Sequence, residues 1–208
     1  AYRIKNFEAG RSISYERVKH YWATDLPVNK GQSNFDEISY EYYRDRDVAT
    51  EAFKSGAFDL RAENQSKRWA TAYDFPALKE GKVKKILIPH ERPTGMQGFV
   101  FNIRKDFFSD PKVRLAINYA WDFEWTNKTL MYNAYKRTNS YFSNSELSSS
   151  GTLPEGEELK ILQKFKRQVP KQVFDEVYKA PQTDGSGNNR KNLRLALKLL
   201  REAGWAVK

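Results

Sequence analysis

No cysteine occurs among the 208 residues of the chain. That excludes disulfides, thiolate-bound metals and thiol nucleophiles together. Histidine is almost as scarce: His20 and His90 stand far apart in sequence. Zinc asks for three or four clustered ligands, so both read as structural or surface residues and no metal is expected. No cofactor is expected either. The chain has no P-loop, no G-x-G-x-x-G and no G-x-S-x-G elbow. Gly185-Ser186-Gly187 runs into Asn188-Asn189, which is loop chemistry and not a dinucleotide fingerprint. Carboxylates are plentiful, but no pair is marked as acid and base, so no catalytic residue is assigned and an enzyme is not expected. No apolar run approaches the roughly 20 residues of a membrane helix. No leader-like segment opens the chain. Ala1-Tyr2-Arg3-Ile4-Lys5 already alternates like a strand, and the chain is expected to begin inside a fold.

Positive charge is what the chain has in excess: 36 Lys and Arg against 26 Asp and Glu, a formal net charge of +10. That favours anionic partners, or simply a soluble basic surface. The longest basic cluster, Lys82-Val83-Lys84-Lys85, is a short stretch inside a strand-like segment. Arg61 to Tyr73 interleaves Arg61, Lys67, Arg68, Trp69 and Tyr73, a composition that suits stacking plus phosphate pairing. No RNP-type or KH-type motif accompanies it, so a basic nucleic-acid-binding module stands as the alternative reading and nucleic acid is not the expected partner.

Periodicity divides the chain into a strand-rich first part and a helix-rich second part. Tyr2–Phe7 and Ser12–Val18 alternate at period two around Glu8-Ala9-Gly10-Arg11, which predicts a hairpin. Glu37–Tyr43 predicts a strand with Ile38, Tyr40 and Tyr42 on one face. Strands are also expected over Ala57–Leu60, Val83–Ile88 and Met96–Phe101. Helices are expected over Asp45–Lys54, capped by Asp45 or Asp47, and over Asn64–Ala72. Asp110–Asp122 predicts another, with Asp110 as N-cap, Pro111 at the first helical position and Val113, Ala116, Ile117 and Ala120 inward. Phe123–Ala134, Glu155–Val169 and Asn192–Ala203 complete the set, the last ending at Gly204. Ser140–Pro154 is expected to be irregular and Pro181–Asn189 a flexible loop.

Gly98 to Glu124 reads GFVFNIRKDFFSDPKVRLAINYAWDFE. It resembles the segment of family-five extracellular solute-binding proteins in which a hinge strand ending in Phe-Asn leads to a helix bearing Val-Arg-x-Ala. The matching positions are Phe101, Asn102, Val113, Arg114 and Ala116, with Asp122 closing the helix. Tyr2-Arg3-Ile4 to Gly10, Glu16-Arg17, Tyr21-Trp22, the A-x-x-x-G-x-x-D of Ala52, Gly56 and Asp59, and Ala203-Gly204-Trp205 agree in order along nearly the whole chain. His90 to Gly98, Trp69 to Pro76 and Arg137-Thr138-Asn139-Ser140-Tyr141-Phe142 are similar to the branch linked to microcin C-type peptides and other oligopeptides. Asp106 and Phe107 depart from the family, which often has prolines there.

The resemblance implies an α/β fold: part of a two-lobed periplasmic binding protein with large lobes, mixed sheets and flanking helices. Lobe I is expected over residues 1–92, a hinge crossing over 93–98 and a truncated lobe II over 99–208, as in an internal piece of a longer protein. It implies a periplasmic component of an ABC importer that captures oligopeptides and hands them to a membrane permease. The ligand-facing residues it suggests are Arg61, Glu63, Asn64, Trp69, Tyr73, Thr94, Met96, Gln97, Tyr141 and Phe142. At the strand end it turns toward the cleft, Glu63 suits an ammonium and Arg61 a carboxylate. The competing expectation is that both pair with other protein groups. A piece cut from a larger fold is also expected to expose apolar surface and self-associate.

Overall fold

The computed structural model describes residues 1–149 and 151–206. Ser150, Val207 and Lys208, which fall in the predicted irregular segment and at the chain end, lie outside the described residues. The chain divides into two compact units, Ala1–Lys85 and Ile86–Lys208.

The first unit is built on an antiparallel three-stranded sheet in the order β1 (Tyr2–Glu8), β2 (Ser12–Arg17), β3 (Glu37–Glu41). The hairpin turn closes with the Arg11 amide donating to the Glu8 carbonyl at 3.0 Å. Gly10 sits at φ +74° in the third position of that turn, where a side chain would be strained. Between Ile4 and Asn6 the register slips by one residue, because Ile4 pairs with Tyr15 and Asn6 with Ser14. This bulge resets the phase, so Tyr2, Ile4 and Phe7 share a face with Ile13, Tyr15, Ile38 and Tyr40. The opposite face is charged, with Arg3 bonded to Glu16 at 2.7 Å and Lys5 to Glu37 at 2.5 Å.

Helix α1 (Arg46–Lys54) starts at Asp45, whose carboxylate accepts from the amides of Asp47 at 2.7 Å and Val48 at 3.0 Å. Its Phe53 meets the rings of Phe58, Tyr73 and Phe75 at 5.5, 6.3 and 6.5 Å between centroids. This aromatic cluster is the core of the unit, with Tyr73 and Phe75 buried. Helices α2 (Ser66–Thr71) and α3 (Pro76–Lys79) follow.

The second unit is helical: α4 (Asp106–Ser109), α5 (Pro111–Ala120), α6 (Phe123–Leu130), α7 (Gly156–Lys164), α8 (Gln172–Asp175) and α9 (Arg190–Glu202). Helix α5 begins as its sequence predicts, with Asp110 accepting from the Lys112 amide at 2.7 Å and Pro111 at the first position. Its buried face, Val113 and Ala116, packs on α9, which buries Asn192 and Ala196. Small residues at 116 and 196 fit the close approach of two helices. Arg114 explains the Val-Arg-x-Ala pattern physically: its guanidinium donates to the Phe108 and Ser109 carbonyls at 2.6 and 2.8 Å, fixing the end of α4.

Three expected strands do not form. Ala57–Leu60, Val83–Ile88 and Met96–Phe101 have no ladder partner among the described residues. The side chains of Leu87, Phe99 and Val100 are almost fully exposed. An apolar run shows that a segment seeks cover, but a strand also needs a neighbour for its amides and carbonyls, and periodicity does not supply one. The loop over 181–189, expected to be flexible, is instead held against α6. Thr183 donates through its hydroxyl to Asp122 at 2.5 Å and through its amide to Glu124 at 3.0 Å. A Cβ on Gly187 would lie 3.0 Å from the Trp125 ring.

Candidate functional site

In the first unit the segment after Leu60 carries its charges into a pocket of polar contacts made by α1, α2 and Tyr73. Glu63 accepts from the Gln65 amide at 3.0 Å, which turns the chain into α2. Its other oxygen accepts from the Tyr73 hydroxyl at 3.0 Å. That hydroxyl accepts in turn from Arg61 Nε at 3.1 Å. The guanidinium groups of Arg61 and Arg68 stand 3.6 and 3.8 Å from the Glu63 carboxylate. The Glu63 side chain is only 4% exposed, and those of Arg61 and Arg68 are 12% and 11% exposed.

Burial pushes the Glu63 carboxyl pKa upward, but the Gln65 amide, the Tyr73 hydroxyl and the two guanidiniums outweigh it and hold the carboxyl below the usual range. Burial raises the Tyr73 phenol above its ordinary value. Arg68 is bonded to Asp47 at 2.6 Å, which raises its pKa further.

Trp69, on α2, and Tyr73, just past its end, are four residues apart and their ring centroids lie 6.0 Å from each other. Lys85 caps this pair. Its ammonium sits 4.4 Å above the Trp69 ring and 5.8 Å from the Tyr73 ring, and it donates to the Trp69 carbonyl. Asn64, beside Glu63, is exposed. Four of the predicted residues, Arg61, Glu63, Trp69 and Tyr73, are therefore brought into one cluster.

In the second unit Thr94 is tied to the polar loop that holds Tyr141 and Phe142. Its amide and hydroxyl both donate to the Ser143 carbonyl, at 3.0 and 3.2 Å. Asn144 donates to the Arg92 carbonyl at 2.7 Å. Buried Ser140 organises the turn by accepting from the Phe142 amide at 3.2 Å. Tyr141 and Phe142 are left on the surface, 76% and 56% exposed. Met96 and Gln97 follow Thr94 in exposed, irregular backbone.

Three cationic residues were not singled out by the sequence as site residues. Lys85 falls in an expected strand. Arg68 belongs to the basic, aromatic stretch from Arg61 to Tyr73. Arg137 lies with its guanidinium 4.4 Å from the Trp121 ring centre and 5.3 Å from that of Phe123, and donates to Asn118 at 2.5 Å. Burial lowers its pKa from the usual arginine value, while Tyr178 and Glu124 oppose that. A signal existed: Trp121 and Phe123 flank Asp122 in the quoted motif, and aromatics at i and i+2 across a helix break leave two ring faces for a planar cation.

Two solved structures share this architecture over essentially the whole chain. A putative peptide binding protein AppA from Clostridium difficile matches at a TM-score of 0.54 with 15% identity, over 100% of this chain and 33% of that one. The ABC transporter substrate binding protein CtaP from Listeria monocytogenes matches at 0.53 with 20% identity, over 99% and 32%. The fold is thus a mixed helix-and-sheet part of the lobed binding-protein architecture.

Relatives by sequence are more alike. A probable peptide-binding protein YejA of Agrobacterium fabrum is 49% identical over 100% of this chain and 34% of its own length. A YejA protein of Escherichia coli is 47% identical over the same shares. A peptidoglycan-binding protein YepA of Agrobacterium fabrum is 39% identical over 100% of the chain and 35% of its own. The chain spans about a third of the length of these relatives. Residues 1–208 match the middle part of bacterial extracellular solute-binding proteins, family 5, and the chain belongs to that family.

Proposed function

We propose that the protein carrying this chain is the substrate-binding component of an ABC importer, working in the periplasm, and that it captures oligopeptides and delivers them to a membrane permease. Microcin C-like peptides are one proposed cargo. No catalytic step is assigned to it. Family membership supports the class, and the relative named as a probable peptide-binding protein supports the ligand.

The single observation that carries the reading is the cluster of Arg61, Glu63, Trp69 and Tyr73. Its charges are oriented by protein hydrogen bonds at 3.0–3.1 Å and stand beside two aromatic rings. Binding a peptide of open sequence calls for fixed polar groups to hold backbone and termini, with apolar surface for varied side chains. Preset charges lower the ordering cost of capture. Thr94, Met96, Gln97, Tyr141 and Phe142, with Asn64, are proposed as further contacts. The test is native mass spectrometry of the intact protein purified from cells, followed by calorimetry with the peptides found. Retained peptides that rebind with saturable heat support the reading. A protein that carries no peptide and gives no heat with a mixed peptide pool, yet binds DNA in a salt-sensitive manner, refutes it.

A further inference from the structure

We infer that Lys85, seated over the Trp69 ring, takes the carboxylate end of a ligand and not its ammonium end, and is a specificity-determining residue. This rests on the peptide-capture reading. A zwitterionic ligand offers two charged ends, and the cluster contains both signs, so composition alone leaves the choice open. Exposure decides it, because the Glu63 carboxylate is buried and the Lys85 ammonium is exposed.

The carboxylate at the centre of the cluster is shielded. One Glu63 oxygen holds the Gln65 amide and the other the Tyr73 hydroxyl, two guanidiniums flank the carboxylate, and the side chain is 4% exposed. Glu63 therefore lies almost without exposed surface behind two guanidiniums, and an incoming ammonium meets two cations on the way. At the start of α1, Asp45 Oδ1 accepts from two amides, and Asp47 Oδ1 holds Arg68 while the Asp47 side chain stays 85% exposed.

The donors are not filled. Lys85 has three N–H groups, of which one is used on the Trp69 carbonyl, and it has no carboxylate partner among the described residues. Arg61 spends Nε on Tyr73 and Nη2 on the Arg46 carbonyl and Glu63, and its Nη1 has no hydrogen bond among the described residues. The aromatic platform holds the Lys85 ammonium near the rings, so its position does not depend on a carboxylate of the protein. Lys85 is exposed and can meet a ligand directly.

The test uses the intact protein and randomised pools of three- to eight-residue peptides in three forms: free, N-acetylated and C-amidated. Retained peptide is quantified by mass spectrometry and affinity by calorimetry. Amidation is expected to weaken binding about tenfold, the effect of losing a charge-assisted hydrogen bond at a partly exposed site, and acetylation about twofold or less. In Lys85→Gln the free peptides should fall to the level of the amides, so that the ratio between them approaches one, and Lys85→Arg should restore the difference. An unchanged melting temperature for Lys85→Gln separates this from misfolding. Two results overturn the inference while leaving peptide capture standing: acetylation costing more than amidation, or an amidation penalty as large in Lys85→Gln as in the parent. If no pool is retained in any form, the capture reading fails and this inference fails with it.

Discussion

Replacing Glu63 by Gln isolates the energetic meaning of the cluster, because the side chain keeps its shape and loses its charge. In the parent, the carboxylate accepts two hydrogen bonds at 3.0 Å and stands 3.6 and 3.8 Å from two guanidiniums. Removing one partner of a buried ion pair typically costs about 3–5 kcal/mol, since the remaining charge is left without compensation. Here both guanidiniums lie beyond hydrogen-bond distance of Glu63, and Arg68 keeps Asp47 at 2.6 Å. The cost should fall at or below the bottom of that range, and we expect a loss of about 2–3 kcal/mol near neutral pH.

The pH dependence follows from the depressed Glu63 pKa. A carboxyl held below its usual 4.5 contributes stability that is fully present above that value and is lost as the pH falls through the lower, folded one. The difference between parent and Glu63→Gln should therefore be largest at pH 6–7 and shrink progressively below about pH 4.5. Scanning calorimetry of the intact proteins from pH 7 down to pH 3 measures it. A variant that melts with the parent at pH 7, or that is destabilised by the same amount at pH 7 and pH 3, would refute the claim that Glu63 acts as a charged, buried hub.

Four further outcomes are expected. Tyr73→Phe removes the hydroxyl that links Arg61 to Glu63 and should cost about 1.5–3 kcal/mol in the same calorimetric assay, because both bonds involve a charged partner. Gly187→Ala places a methyl 3.0 Å from the Trp125 ring at φ +83° and should destabilise the second unit by about 1–3 kcal/mol, read as a lowered melting temperature and a shift in Trp fluorescence. Asn189→Ala strips the donor that serves the Tyr119 and Ala120 carbonyls at 3.1 Å each, at the end of α5, and should raise amide exchange there with a loss of about 1–2 kcal/mol. The 208-residue chain studied by itself is expected to self-associate through the sheet face of Ile4, Phe7, Tyr40 and Tyr42, all exposed; sedimentation should show a concentration-dependent mass that Phe7→Ser with Tyr40→Thr lowers.

Local rules made part of this protein legible in its sequence. Asp110-Pro111 started α5 and Asp45 started α1 because a cap needs only the next few amides. Gly10 placed the hairpin turn because few residues other than glycine settle easily at a positive φ. The absence of cysteine and of any nucleotide or nucleophile motif narrowed the chemistry, and the order of motifs from Tyr2 to Trp205 carried the family. Arg61, Glu63, Trp69 and Tyr73 were all picked out, yet the sequence left open whether they face ligand or one another. Only the tertiary structure decided that Glu63 is buried, bonded to Gln65 and Tyr73 and flanked by two arginines, and that Lys85, expected in a strand, stands over Trp69 instead. It also decided that three apolar runs form no strand and that the glycine-rich loop is clamped on α6. Caps and turns are settled within about four residues, whereas strand partners, burial of a charge and its hydrogen bonds depend on groups 10 to 61 residues away, which periodicity does not register.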